Sequence, residues 1–109
     1  MARKILIVRF SSIGDIVLTT PVVRAVKLQL PGAEVHFLTK EAYAPLLRAN
    51  PRIDKVITIR KKVGEALPEL RSHRYDFIID LHNNLRSWQV ILALGRPFSR
   101  FNKLNLRKW

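Results

Sequence analysis

Lys4-Ile5-Leu6-Ile7-Val8-Arg9-Phe10-Ser11-Ser12-Ile13-Gly14-Asp15-Ile16-Val17-Leu18-Thr19-Thr20-Pro21 is the stretch that decides the architecture. It opens on an unbroken apolar run rich in β-branched residues. Such a run is typical of a strand buried on both faces, as in parallel sheets. The chain then turns through a polar loop with one glycine and reaches Thr19-Thr20-Pro21. Proline is favoured in the first helical turn after a threonine cap. Val22, Val26 and Leu30 follow at helical spacing, with Val23 beside them and Arg24 opposite, until Pro31-Gly32 stops the helix.

The same unit repeats outward along the chain. Further strands are predicted over residues 35–38, 55–59 and 75–81, with a weaker fifth near 98–101. A second helix is predicted over 41–50, turning Tyr43, Leu46 and Leu47 inward with Pro45 in its first turns. A third covers 64–73, with Leu67 and Leu70 as its apolar face. A fourth covers 84–94, where Leu85, Trp88, Ile91 and Leu92 make a stripe and Gly95 with Pro97 ends it. Strands that alternate with helices imply a parallel sheet joined by right-handed crossovers. The expected fold is α/β, a Rossmann-like parallel sheet with flanking helices and strand order 3-2-1-4-5.

Composition narrows the function classes. The chain has 109 residues, enough for one domain. Lys and Arg number 20 against 8 Asp and Glu, a formal net charge of +12. Hydrophobic residues at 48 % exclude a disordered polycation, so the surplus charge must sit on the surface of a folded core. The absence of cysteine excludes disulfides, thiolate metal sites and a thiol nucleophile. No apolar run has the length of a signal-peptide core or a membrane span, so a cytoplasmic location is expected. The abrupt end on Leu106-Arg107-Lys108-Trp109 points to a chain that is the start of something longer.

In an open parallel sheet, ligands bind beyond the carboxyl ends of the strands, where the strand order reverses. Two loops meet there: Arg9 to Asp15 after strand 1, and Asp80 to Ser87 after strand 4. The first has a single glycine, Gly14, and is neither a dinucleotide fingerprint nor a Walker loop. It ends instead on Asp15, at the start of a helix whose dipole favours the anion. A carboxylate there serves equally as a helix cap or as a general base that takes a hydroxyl proton. Ser11 and Ser12 are turn formers that can also hydrogen-bond a polar ligand.

In the second loop, Asp80 can orient the turn, and Asn83 and Asn84 suit a turn with a helix cap. His82 titrates near neutrality, although a lone histidine after a strand is more often structural than catalytic. Arg86 falls in the first turn of a helix, where the dipole disfavours a cation, and hints at an anionic ligand. Arg9, Lys40, Arg60, Lys61 and Lys62 all come from strand ends on this same rim. Convergence on the ligand side is more informative than a charge run alone. No His, Asp and Glu cluster has metal-ligand spacing.

The block from Lys4 to Pro21 closely resembles the opening of glycosyltransferase family 9, the lipopolysaccharide heptosyltransferases. Leu30-Pro31-Gly32-Ala33-Glu34-Val35, Asn50-Pro51-Arg52-Ile53-Asp54-Lys55-Val56 and the run from Tyr75 to Ser87 resemble later parts of the same family. The resemblance implies a GT-B fold of two Rossmann-like domains. Residues 1–109 would be an incomplete N-terminal, acceptor-side domain, without the C-terminal donor domain. It implies transfer of heptose from ADP-heptose to a phosphorylated lipid A–core acceptor, with inversion and without a catalytic metal or other cofactor. Asp15 would be the catalytic base. Ser11, Ser12, Gly14, His82 and Arg86 would line the acceptor side, and Arg60, Lys61 and Lys62 would contact acceptor phosphates. Peripheral contact with the anionic inner face of the bacterial inner membrane is also implied.

The charge alone supports a different class, a nucleic-acid-binding module, and the fold alone a free-standing nucleotide-binding module. Against the first, the aromatics fall mostly at core positions instead of interleaving with cations on a surface. The glycine-poor first loop weakens the second. Open sheet edges make self-association of these residues an expectation as well.

Overall fold

A computed structural model describes residues 3–10, 16, 19–82 and 85–100. Five parallel strands form one sheet in the order β3-β2-β1-β4-β5. They are β1 (Lys4–Val8), β2 (Glu34–Lys40), β3 (Lys55–Ile59), β4 (Phe77–Asp80) and β5 (Phe98–Arg100). The expected order 3-2-1-4-5 is the observed one. Among the described residues, the α-helices with defined bounds are α1 (Thr20–Gln29), α2 (Ala44–Arg48), α3 (Leu67–His73) and α4 (Leu85–Leu94).

β1 sits at the centre of the sheet because its residues are apolar on both faces. Ile5, Leu6, Ile7 and Val8 are all buried. On one side β1 pairs Ile7 with Phe37 and Val8 with Leu38. On the other it pairs Ile7 with Ile79 and Val8 with Asp80. Leu6 and Val8 join the core beneath α3 and α4, which includes Leu70, Val90 and Ile91. Ile5 and Ile7 join the opposite core with Val22, Val23 and Val26 of α1 and Leu47 of α2. Alternation along one strand thus fills two layers.

Several boundaries differ from the sequence reading. Two helices open as 3-10 turns, Glu41–Tyr43 and Val63–Glu65, before α2 and α3 begin. Pro45 and Pro68 stand in the first turns of α2 and α3, where a missing N–H costs nothing. Thr19 occupies the N-cap of α1, but its hydroxyl donates back to the Ile16 carbonyl at 2.6 Å and does not cap the helix. β4 is shorter than the predicted 75–81. Tyr75 leaves the strand and buries its ring in the core.

Two helix faces are also corrected. Leu46 of α2 points outward at 44 % exposure, while Leu47 is buried. On α4, Leu85 and Leu92 are 80 % and 65 % exposed. The buried face runs instead through Ser87, Val90 and Ile91, with Trp88 and Leu94 packed beside it. The stripe through 87, 90, 91 and 94 has helical spacing too. Ser87, in the first turn, is fully buried on that face.

At the amino edge of the sheet lies a buried polar cluster. His36 of β2 is 2 % exposed and holds the Tyr75 hydroxyl at 2.8 Å through Nδ1. Its Nε2 meets the Glu34 carboxylate. The carboxylate requires a donor, so Nε2 carries the proton and Nδ1 accepts from Tyr75. The His73 ring stands edge-on to His36 with centroids 4.6 Å apart. Burial lowers the His36 pKa below 6.5, against the opposing pull of Glu34. Burial also pushes the Tyr75 hydroxyl above its ordinary range, so it remains a donor.

Below pH 6.5 the unfolded chain takes up a proton at His36 that the folded state declines. Stability is therefore complete above that pH and falls as the pH drops toward the lowered folded value. The urea midpoint is expected to be lower at pH 5.5 than at pH 7.5, by an amount that shrinks in His36→Gln. An unchanged pH dependence in that variant would contradict the assignment.

Candidate functional site

The carboxyl ends of β1 and β4 lie side by side, and the structure ties their loops together. The Leu81 N–H donates to the Val8 carbonyl at 3.0 Å, continuing the ladder one residue past the strands. The Arg9 guanidinium donates to the Leu81 carbonyl, so this cation spans the gap between the two loops. Asp80 is fully buried, and its Oδ1 accepts the His82 N–H at 2.9 Å. This contact of an aspartate with the amide two residues on is an Asx turn. It fits the orienting role read for Asp80. His82, half-buried, accepts the Phe10 N–H on Nδ1 at 3.4 Å. Its ring also stands edge-on to Phe10, with centroids 5.1 Å apart.

The basic side of the rim follows β2 and β3. Lys40 ends β2 half-buried, and Arg60, Lys61 and Lys62 follow β3 exposed. Arg60 Nε lies 2.9 Å from Glu41 Oε2. With 80 % of the Arg60 side chain exposed, water screens this pair and leaves the guanidinium available.

The backbone of the same loop is already occupied. The N–H groups of Arg60, Lys61 and Lys62 converge on the Glu65 carboxylate at 3.1, 2.8 and 2.7 Å. Three successive amides around one anion form a nest. The Lys62, Lys61 and Arg60 amides together hold the Glu65 carboxyl at about 2. Any anion meeting this loop is met by side chains and not by its amides. The sequence reading assigned the three cations and missed Glu65. Its signal was an acidic residue in the first turn of a helical segment directly after a basic run.

The predicted site residues divide as follows. His82 stands at the meeting of the β1 and β4 loops, and Arg60, Lys61 and Lys62 stand on the same rim after β3. Arg86 falls in the first turn of α4. Ser11, Ser12, Gly14 and Asp15 lie outside the described residues, as do Asn83 and Asn84. Among the described residues, no group of three His, Cys, Asp or Glu side chains could hold a metal ion. Among them too, no helix is long and apolar enough to cross a membrane.

Among the described residues, a cleft opens away from this rim. It has a volume of about 380 Å³ and lies against Ile5, Phe77 and Ile79, under the last turn of α1.

No protein-family model matches the chain. Over 96 % of its length it is 30 % identical to lipopolysaccharide heptosyltransferase 1 of Campylobacter coli, of which it covers 32 %. Over 74 % of its length it is 30 % identical to lipopolysaccharide heptosyltransferase 3 of Escherichia coli, of which it covers 26 %. The chain thus spans about a third or less of the curated relatives it matches. The fold is that of a glycosyl transferase family 9 structure from Veillonella parvula, with TM-score 0.83, 22 % identity, 98 % of this chain and 34 % of that one. It also matches E. coli ADP-heptose lipopolysaccharide heptosyltransferase II, with TM-score 0.76, 28 % identity, 91 % of this chain and 30 % of that one.

Proposed function

We infer that this chain, a heptosyltransferase-like sequence on a glycosyltransferase family 9 fold, is the acceptor-side part of an inverting glycosyltransferase. The observation that carries the reading is the likeness to a lipopolysaccharide heptosyltransferase along 96 % of the chain. The substrate pair is ADP-heptose and a phosphorylated lipid A–core acceptor.

Asp15 accepts the proton of the acceptor hydroxyl. The freed oxygen attacks the anomeric carbon of the donor, and the bond from that carbon to the diphosphate breaks. ADP leaves with the electron pair, and the configuration inverts. One base is enough for such a single displacement. Ser11, Ser12 and Gly14 share the loop of the base, and Arg86, in the first turn of α4, is assigned to the acceptor side. Arg60, Lys61 and Lys62 meet acceptor phosphates through their side chains, because Glu65 occupies their amides. No cofactor or metal enters this chemistry. The donor is held by the part of the enzyme that corresponds to the rest of the relatives' length. A cytoplasmic location, with peripheral contact at the anionic inner face of the inner membrane, follows from the acceptor's chemistry.

Binding to lipid A–core oligosaccharide and to single-stranded DNA, measured at matched salt, tests the reading. The 109-residue chain is expected to prefer the phosphorylated oligosaccharide and to transfer no heptose by itself. Preference for the DNA with a steep salt slope would favour a nucleic-acid-binding module instead. Turnover of ADP-heptose by this chain alone would overturn the division of labour.

A further inference from the structure

We propose that His82 is a positioning residue, a strut that fixes how the chain leaves β1, and that it does not itself contact the acceptor. The inference rests on the function proposed above, since what is positioned is the loop expected to carry the base.

Three contacts support it. Asp80 is fully buried, and its carboxylate accepts the His82 N–H at 2.9 Å, which fixes the backbone of His82 relative to β4. From that anchor the imidazole reaches across the switch point, and Nδ1 accepts the Phe10 N–H at 3.4 Å. Phe10 is itself fully buried, and its ring meets the His82 ring edge-on at 5.1 Å. Phe10 is the last described residue before the loop that follows β1. Its amide turns toward the β4 side, while the preceding Arg9 N–H donates on the opposite side to the Leu38 carbonyl of β2 at 3.1 Å.

The chemistry of this contact is specific. An amide N–H needs an acceptor, and imidazole offers one at Nδ1 only when the proton sits on Nε2. His82 is therefore held in the Nε2–H tautomer by the backbone it supports. A side chain with an acceptor at the same distance from Cβ can replace it. Asparagine Oδ1 is such an acceptor, and leucine has none.

Two measurements test the strut. In the 109-residue chain, nitrogen-detected NMR of His82 is expected to show an unprotonated Nδ1 and a protonated Nε2. The Phe10 amide should stay near its position in His82→Asn and move in His82→Leu. A protonated Nδ1, or a Phe10 amide indifferent to both variants, would overturn the contact.

In the enzyme that carries this domain with its donor half, His82→Leu should lower kcat about 100-fold with the acceptor KM little changed, the order of loss expected when a reacting group is misplaced by about 1 Å. His82→Asn should recover most of that loss. A raised acceptor KM at unchanged kcat would make His82 an acceptor contact. Equal damage in both variants would mean that the imidazole itself is needed. Either result overturns the positioning role. If the wild-type enzyme transfers no heptose at all, the proposed function fails, while the NMR result still decides the strut on its own.

Discussion

On the proposed function, Asp15→Asn in an enzyme that joins this domain to a donor half is expected to lower turnover about 1,000-fold, within the range supplied by a positioned general base. The substitution keeps the size and the hydrogen-bonding reach of the side chain and removes only its ability to hold a proton. A cap survives it, since asparagine caps helices as well as aspartate does. The variant therefore separates the two roles that the sequence leaves open. On the proposed reading acceptor binding should persist or tighten, because the change removes a negative charge from a rim assigned to phosphates. Steady-state transfer of heptose, with the acceptor concentration varied, measures both effects. Turnover within a few-fold of wild type would leave Asp15 as a cap and move the base elsewhere.

Phe37→Ala is expected to bring the fold close to the limit of its stability. Phe37 is fully buried on β2, paired in register with Ile7 of β1 on one side and Val56 of β3 on the other. Its ring fills the layer shared with Val22, Val23, Val26 and Leu47. Removing a buried phenylalanine ring costs about 3–5 kcal/mol, as transfer free energy and as a cavity that neighbours only partly close. A domain of this kind has roughly 5–15 kcal/mol in total. With a urea dependence of about 1–3 kcal/mol per molar, the midpoint should fall by at least about 1 M. Leu28→Ala, at a position 69 % exposed, should change stability by less than about 0.5 kcal/mol and serves as the control. A Phe37→Ala midpoint as close to wild type as that control would show that the layer repacks.

The fold was legible because its main signals are local. Ile5 to Val8 is apolar without interruption, which calls for layers on both faces of the strand. The helix faces were less legible. On α4, two overlapping stripes both have helical spacing, and only the sheet chooses between Leu85 with Leu92 and Ser87 with Val90 and Ile91. The site was legible as a location, since strand order fixes where the loops converge. Its internal bonding was not. The contact of Phe10 with His82 joins residues 72 apart. The Glu65 nest uses backbone amides, and its one mark in the sequence is an acidic residue soon after the basic run.

That nest bears on how selective the basic loop can be. A phosphate cradled by amides is read stereochemically, through donors fixed in direction. Here the chain's own carboxylate has taken those donors, and what remains outward are flexible side chains of Arg60, Lys61 and Lys62. Long cationic arms follow charge and tolerate displacement of the charged group by several ångströms. On the proposed reading, the loop would tally how much negative charge an acceptor carries and remain indifferent to its exact arrangement. Acceptors with differently spaced phosphates would then be admitted alike, and discrimination among hydroxyls would fall to the loops at the β1–β4 switch.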